Sequence, residues 1–333
     1  MNTEPLPVRI DRDISIPAIE RVRISFVVPV YNVEEYIREC VLSILALEGI
    51  SFEIILVDDG SPDKSMKRVA DLVSQNPNIK TITQENQGLS GARNKGLGFA
   101  KGDYVFFVDS DDKIDAVALQ HLFSKIGETE DIIIGDFYKW DGTNLLKEPS
   151  LVDHPMRTTG NLLLQRFFLR GFEMAIGRNI YKTSFLKRHR FSFIEGIYYE
   201  DVDWTVRCLT MAEEVLYVNQ AVYLYRHQRV GSIINSPFSV KKYHDLFRVS
   251  HTINTFASNI KDKKTAGVIS RAASNLLLTA LKHAEMTGLD VDHQPTLTLY
   301  KKLKLPLCNN KIMQYILLVS RSLFFTILKR RSF

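Results

Sequence analysis

The stretch FEIILVDDGSPD, residues 52–63, joins an apolar strand to the start of a helix. Its first part, residues 52–58, is a mostly apolar run of the kind found in strands that are covered on both faces. Two carboxylates follow, and Ser61 with Pro62 then supplies a capping hydroxyl and a first-turn proline, both common where helices begin. The order of strand, acidic turn and helix predicts one unit of an α/β sheet.

The same alternation continues on both sides of this unit. Further strands are predicted at residues 24–30, 79–83, 104–109 and 131–137, with helices at about 34–47 and from a Ser90 cap to Gly102. Apolar strands that alternate with helices favour a mostly parallel, doubly wound sheet with helices on both faces. Ligands of such sheets bind beyond the carboxyl ends of the strands.

The alternation loosens after about residue 140. Helical or mixed patterns cover 162–169, 181–191 and 202–212, a strand pair is predicted at 214–226, and two helices are predicted between Lys241 and a stop signal at Gly288. We therefore expect an N-terminal extension (1–22), an α/β domain (23–235) and a C-terminal helical region (236–333).

Composition limits the class of protein. The 333 residues are 45% hydrophobic and 24% charged, enough for one large or two modest globular domains. Three cysteines far apart in sequence fit neither a disulfide framework nor a zinc motif. The first 20 residues contain acids and prolines where a signal peptide needs a basic start and an apolar run, so we expect a cytoplasmic protein.

The positive charge is concentrated in the C-terminal tail. Residues 293–333 contain eight Lys and Arg and no acid, more than the net charge of +5, so the rest of the chain is mildly acidic. The apolar stretch 312–328 is interrupted by Ser320, Arg321 and Ser322, and a bilayer span needs about 20 mostly apolar residues. This amphipathic tail either lies on the inner face of the cell membrane or forms a core helix with a basic end.

The segment FVDSDDKID, residues 107–115, places three carboxylates within the four positions 109–112. Such close like charges raise one another's pKa unless a cation lies between them. Mg²⁺ or Mn²⁺ would remove the conflict, since these ions bind one or two carboxylates together with phosphate oxygens. Asp109 and Asp111 are therefore candidate metal ligands, and the alternative is an acidic turn that caps the next helix.

Other motifs occur at further predicted strand ends and in the looser half. They are PVYN (29–32), VDDGS (57–61), GLSGARNKG (88–96) and YYEDVDW (198–204). The glycines near residue 91 do not form the GxGxxG pattern of a dinucleotide site.

Together, in this order and spacing over about residues 23–230, these motifs resemble the family 2 glycosyltransferases, which are inverting enzymes with a GT-A-type fold. The finer likeness is to bacterial members that build capsular polysaccharide, exopolysaccharide or lipopolysaccharide. YRHQRVGSI (225–233) resembles a segment that lies near the donor in those enzymes. The resemblance implies a nucleotide-binding part at about 23–140 and an acceptor part at about 141–235.

The resemblance also implies roles for single residues on the donor side. Asp58 or Asp59 would accept a hydrogen bond from the base or ribose, and Asp109 would contact the ribose or the metal. The alternative for Asp58 and Asp59 is capping of the turn before Pro62. The remaining donor contacts implied are Pro29, Val30 and Tyr31 at the base, Arg93 near the base or diphosphate, Asp111 on Mn²⁺ or Mg²⁺, and Arg226 and Arg229 over the diphosphate.

On the acceptor side, the resemblance implies that Asp201 is the general base and that Glu200 helps to place the acceptor. The alternative is that both carboxylates are stabilised by the positive N-terminal end of a helix, which also fits Asp203. Trp204 fits the core better than an acceptor platform. Asp112 and Asp203 are left without an assigned role. The alternative for the three arginines is that they are solvated side chains without a role in the site: Arg93, Arg226 and Arg229.

The reaction implied is transfer of a hexosyl or N-acetylhexosaminyl group from a nucleotide sugar, of UDP type, to a membrane-associated or lipid-linked glycan. The competing class is a non-catalytic nucleotide-sugar-binding or scaffold protein. A nucleotidyltransferase would need a glycine-rich loop with lysine after the first strand, where this chain has PVYNVEEY. Nucleic-acid binding is disfavoured because the basic charge lies in one tail. The sequence does not indicate an oligomeric state.

Overall fold

The computed structural model describes residues 23–127, 129–150, 152–170, 176–227, 236–293 and 298. The elements of the first half are β1 Ile24–Val30, α1 Ile37–Leu45, β2 Phe52–Asp58, α2 Ser65–Arg68, α3 Ala70–Gln75, β3 Ile79–Thr83, α4 Gly88–Phe99, β4 Tyr104–Phe107, β5 Lys113–Ile114 and α5 Ala116–Phe123. Those of the second half are β6 Ile132–Trp140, β7 Leu145–Lys147, β8 Met156–Thr158, α6 Gly160–Arg170, β9 Asn179–Lys182, α7 Thr183–Arg188, α8 Glu200–Met211, β10 Val215–Arg226, α9 Val240–Ser258 and α10 Lys263–Thr287.

The strands form one sheet in the order β3-β2-β1-β4-β9-β6-β10-β5, with β7 beside β6 and β8 beside β10. The first four positions, β3 to β4, are parallel, and β6 is parallel to β10. The short strand β9 is antiparallel to both β4 and β6 and joins the two halves. The predicted α/β class is confirmed, and the sheet is mixed.

Helices cover both faces of the sheet. All seven residues of β1 are buried, and alternate side chains enter two different apolar clusters. Val27 packs on the face that carries α4 and α8, whereas Phe26 and Val28 pack on the face that carries α1 and α5. This two-sided burial explains why the strands read as continuous apolar runs.

The two helices predicted near the C-terminus are α9 and α10. Gly288 ends α10 in the left-handed conformation, as the stop signal predicts. Leu246 of α9 and Leu277 of α10 belong to the same buried cluster as Trp204 of α8. The described part of the C-terminal helical region therefore shares one core with the α/β part.

Several predicted details are wrong. The helix after β2 begins at Ser65, so Ser61 does not cap it and Pro62 does not lie in its first turn. The strand pair predicted at 214–226 is the single strand β10, Val215–Arg226, because shifts of register against β6 on either side of Ala221 take up the irregular sequence. The fourth strand ends at Phe107, before the acidic turn. Ser90 does not cap α4, which begins at Gly88 because the carboxylate of Asp59 accepts the N–H groups of Gln87 and Gly88.

Within the described residues, every helix is too short or too polar to cross a membrane. The predicted extension 1–22 and the amphipathic stretch 312–328 lie outside the described residues.

Candidate active site

The acidic turn, residues 109–112, leaves the carboxyl end of β4. It closes with a hydrogen bond of 2.9 Å from the N–H of Asp112 to the carbonyl oxygen of Asp109. Asp109 and Asp111 are half-buried, and Asp112 is buried. Because β4 lies parallel beside β1, the acidic turn lies at the same edge of the sheet as the end of β1, as the sequence predicts.

Asp112 anchors the acidic turn to β10. Its carboxylate accepts the hydroxyl of Tyr223 at 2.6 Å and the N–H of Arg226 at 2.7 Å. Tyr223 in turn accepts the N–H of Asp109 at 3.2 Å. Burial and the charges of Asp111 and Asp109 raise the pKa of Asp112 well above its usual range. The role of Asp112 is thus structural, and the sequence carried no signal for Tyr223, which lies in an apolar strand.

Arg226 braces the acidic turn from the side of α1. Its Nε donates to the carbonyl oxygen of Asp111 at 2.8 Å, and its Nη2 donates to Glu39 at 2.6 Å. The guanidinium lies 4.1 Å from the ring centroid of Trp140 and 4.9 Å from that of Tyr36. Glu39, Tyr36 and Trp140 were missed because they lie outside the motifs and come together only in the folded chain. The predicted diphosphate contact Arg229 lies outside the described residues.

Arg93 connects the acidic turn with α8. Its side chain is 3% exposed, donating from Nη2 to Asp109 at 2.6 Å and from Nη1 to Glu200 at 2.8 Å. The guanidinium also lies 5.4 Å from the ring centroid of Phe193. Burial lowers the pKa of Arg93, but the charges of Asp109 and Glu200 outweigh it and raise the pKa overall. The bridge therefore carries a permanent positive charge between two carboxylates.

The first turn of α8 presents Asp201. Tyr199, the N-cap residue, has a φ of 63° in the left-handed region, which is strained for a residue with a Cβ. Asp201 is half-buried and accepts the N–H of Val202 at 2.9 Å. Burial and then the charge of Glu200 raise the pKa of Asp201 to about 7, although Arg93 opposes the shift. A carboxyl group with a pKa near neutrality is suited to accept a proton.

The residues predicted to border a base lie at the end of β1. Pro29 and Val30 are buried, and the Val30 side chain packs in the core beneath α1. The Tyr31 side chain is 47% exposed. The part of PVYN whose side chains can reach a ligand therefore begins at Tyr31.

The two carboxylates at the end of β2 differ in their surroundings. Asp59 is buried and accepts the Gln84 side chain at 2.7 Å besides the two N–H groups at the start of α4. Asp58 is half-buried and accepts the N–H of Ser61 at 2.9 Å. Asp59 thus caps a helix, and Asp58 carries the more accessible carboxylate.

The remaining acid of YYEDVDW serves the helix, and the tryptophan serves the core. Asp203 is buried and holds Arg207, one turn further along α8, at 2.6 Å. Trp204 is buried and stacks on Phe193 with ring centroids 3.8 Å apart. The predicted core position of Trp204 is confirmed.

A divalent ion would find two hard ligands here. Among the described residues, no group of three or more His, Cys, Asp and Glu side chains is arranged to hold a metal ion. Asp109 and Asp111 nevertheless place two carboxylates on one turn, with one oxygen of Asp109 taken by Arg93. Because Mg²⁺ and Mn²⁺ need only one or two carboxylates when phosphate and water complete the shell, these residues fit such an ion.

Comparison with known proteins gives the family. The sequence model described as glycosyl transferase family 2 matches residues 25–188. Glycosyltransferase GlyG of Streptococcus pneumoniae serotype 4 is 30% identical over 259 residues, which cover 74% of this chain and 82% of GlyG. The chain belongs to glycosyl transferase family 2. The matched residues of this glycosyltransferase include the acidic turn and Arg93, while Asp201 follows them.

Solved structures agree with the fold of this glycosyltransferase. TarS residues 1–349 of S. aureus, in complex with UDP-GlcNAc, align with a TM-score of 0.72 at 20% identity, covering 92% of this chain and 90% of that TarS fragment. The mannosyltransferase PcManGT of Pyrobaculum calidifontis, in complex with GDP-Man and Mn²⁺, aligns with a TM-score of 0.52 at 16% identity. The alignment covers 93% of this chain and 85% of the PcManGT chain. The GT-A-type architecture predicted from the motifs is confirmed.

Proposed function

We propose that this protein transfers a sugar, with inversion, from a UDP-sugar to a hydroxyl group of a glycan. The observation that carries the proposal is the buried bridge from Asp109 through Arg93 to Glu200. This bridge brings the acidic turn close to the first turn of α8. A site for the leaving group and a candidate base are thereby neighbours.

The donor would occupy the edge formed by β1, β2 and β4. Tyr31 and Asp58 are the exposed or half-buried groups for the base and ribose, and Asp109 and Asp111 would hold Mn²⁺ or Mg²⁺. When bound, such an ion neutralises charge on a departing diphosphate. The UDP-GlcNAc complex of TarS and the GDP-Man and Mn²⁺ complex of PcManGT support a nucleotide sugar and a metal in this fold.

The acceptor would be activated by Asp201. Its carboxylate takes the proton of the acceptor hydroxyl, whose oxygen bonds to the anomeric carbon. The bond from that carbon to the diphosphate oxygen breaks on the opposite face, and the nucleoside diphosphate leaves with the electron pair. Glu200 is bound to Arg93 and is therefore less available as a base. Its proposed part is to shape the acceptor side and to raise the pKa of Asp201.

The proposal is tested by a screen of UDP-, GDP- and dTDP-sugars with Mn²⁺, Mg²⁺ or EDTA, using p-nitrophenyl glycosides as acceptors. We expect Asp201→Asn to lower transfer by about 10²–10⁴-fold, the usual contribution of a general base. We expect Asp111→Asn to weaken metal-dependent UDP binding. Asp71→Asn is the control, since Asp71 pairs with Arg38 on the exposed surface.

Two outcomes would contradict the proposal. Full transfer by both site variants would exclude these roles. Metal-dependent binding of UDP without turnover of any donor sugar would instead indicate the non-catalytic nucleotide-sugar-binding class.

We also propose that residues 293–333 hold the enzyme beside a membrane-associated or lipid-linked acceptor. The support is the run of eight Lys and Arg without an acid. Co-sedimentation with anionic vesicles, compared with neutral vesicles, tests this contact, and equal binding to both would contradict it.

A further inference from the structure

The loop that precedes Asp201 is held by the C-terminal region. Residues 196–199 lead into α8, and α9 packs against them with Lys241 and Asp245, one helical turn apart. We propose that this pair, the α9 clamp, is a positioning element that sets the orientation of the first turn of α8. The inference rests on the proposed role of Asp201 as the base, and it assigns a catalytic task to a helix beyond the matched residues 25–188.

Asp245 binds the loop through its backbone. The residue is 3% exposed, and its Oδ2 accepts the N–H of Tyr198 at 3.0 Å and the Nζ of Lys241 at 2.6 Å. A buried carboxylate is retained only where donors compensate its lost hydration. Here one of those donors is the loop itself, so the loop and α9 are fixed to each other.

Lys241 holds the same loop at two further points. Its Nζ donates to the carbonyl oxygen of Gly196 at 2.7 Å and lies 4.6 Å from the ring centroid of Tyr198. The ammonium therefore connects Asp245, a loop carbonyl and a loop ring. Three separate contacts restrain residues 196–198.

The conformation of Tyr199 explains why such restraint is needed. Tyr199 has φ 63° and ψ 27°, and its own side chain makes no capping hydrogen bond at the start of α8. A residue with a Cβ adopts this conformation only where its surroundings impose it. Because Tyr199 is two residues before Asp201, its dihedral angles set the direction in which the first turn of α8 leaves the loop. Contacts on Tyr198 are thus the nearest means of holding Asp201 in place.

The test separates positioning from general stability. We expect Asp245→Ala to increase amide hydrogen exchange in residues 196–201 and to lower kcat for transfer by about 10- to 100-fold, the scale on which small misplacements of reacting groups cost rate. The affinity for UDP should fall by much less than kcat, because the first turn of α8 reaches the acidic turn only through Arg93 and Asp58 lies on another element. Asp245→Asn keeps an oxygen that can accept the Tyr198 N–H, so it should recover most of the activity.

Glu130→Ala is the matched control. Glu130 is also buried, accepts the N–H of Gly127 at 3.0 Å and pairs with Arg157, but it lies between α5 and β6, away from the acidic turn. The control should lose stability and keep kcat. If Asp245→Ala does not fold, Lys241→Met replaces it. Lys241→Met should lower kcat, because it removes the ammonium from the loop.

The outcomes distinguish the two proposals. Wild-type kcat in Asp245→Ala, or in Lys241→Met if the alanine variant does not fold, overturns the clamp. So does a loss of kcat equal to that of Glu130→Ala, or a parallel loss of UDP affinity. Full transfer by Asp201→Asn overturns the proposed base instead.

Discussion

At the scale of single residues, the pKa of Asp201 fixes the pH range in which its carboxyl group can accept a proton. With a pKa of about 7, the ionised fraction rises as the pH increases through neutrality. We expect kcat for transfer to fall about tenfold per pH unit below this pKa. A pH–rate profile of the wild type measures it. A rate that stays flat down to the usual pKa of an aspartate would contradict the role.

The same residue affects stability with a definite sign. Its pKa is raised in the folded chain, so the folded state binds the proton more tightly than the unfolded state does. Stability is therefore full below the ordinary value of 3.8 and is lost as the pH rises toward about 7. We therefore expect the melting temperature of Asp201→Asn, relative to that of the wild type, to increase as the pH is raised from about 5 to about 8.

Asp63 provides a control of opposite sign. Hydrogen bonds from Ser65, Ser61 and backbone N–H groups outweigh burial and lower its pKa to about 2. The contribution of Asp63 to folding stability is present above the ordinary pKa of 3.8 and is lost as the pH falls through about 2. Asp63→Asn should therefore destabilise the protein equally at about pH 5 and at about pH 8. A constant difference between Asp201→Asn and wild type would contradict the burial of Asp201.

Residue types identified the acids but not their surroundings. A strand followed by DSDD indicates carboxylates at a sheet edge, and the structure has them there. That Asp112 would bind Tyr223 while Asp111 stays half-buried depends on β10, more than 100 residues away. Asp59 likewise received its helix-capping role from N–H groups that no local pattern indicates. The Asp203–Arg207 pair, by contrast, has the i,i+4 spacing of helical ion pairs.

At the scale of elements, the packing of α4 on the sheet depends on one glycine. A Cβ at Gly96 would lie 2.3 Å from Cγ1 of Val27 and 3.2 Å from Cγ2 of Val57. We expect Gly96→Ala to lower the free energy of unfolding by about 1–3 kcal/mol, the usual cost of overpacking. Urea denaturation measures it.

Gly98, on the same helix, is the matched control. A Cβ there would meet nothing within 4 Å. Gly98→Ala should raise the free energy of unfolding by about 0.5–1 kcal/mol, since alanine loses less backbone entropy than glycine in a helix. Equal effects of the two alanines would show that α4 does not sit on β1 as described.

Secondary-structure elements were predictable where buried positions produce a recognisable pattern of apolar residues in the sequence. The strands β1 and β2 match their predicted bounds because long apolar runs are bounded by turn residues, and the weaker strand β3 also matches its predicted bounds. The four-residue strand β9 and the two-residue strand β5 are too short to carry a period. The single strand β10 was misread as two because its irregular pairing with β6 around Ala221 looks like a turn in the sequence.

At the scale of the whole molecule, the proposed boundary at residue 235 does not divide the core. Leu246, Leu277 and Trp204 share one buried cluster that spans α8, α9 and α10. We expect a chain that ends at residue 235 to lose its cooperative thermal transition and to bind a hydrophobic dye, unlike the full chain. A single sharp transition in the shortened chain would contradict the shared core.

The environment of Trp140 makes its intrinsic fluorescence a readout of the position of the acidic turn. The chain has two tryptophans, and Trp204 is fully buried. The Trp140 ring lies 3.4 Å from the ammonium of Lys113 and 4.1 Å from the guanidinium of Arg226, which itself holds the carbonyl of Asp111. We expect a displacement of the acidic turn to move the Arg226 guanidinium relative to this indole and to change its emission. In a Trp204→Phe variant, donor loading could therefore be followed by intrinsic fluorescence, without an added label.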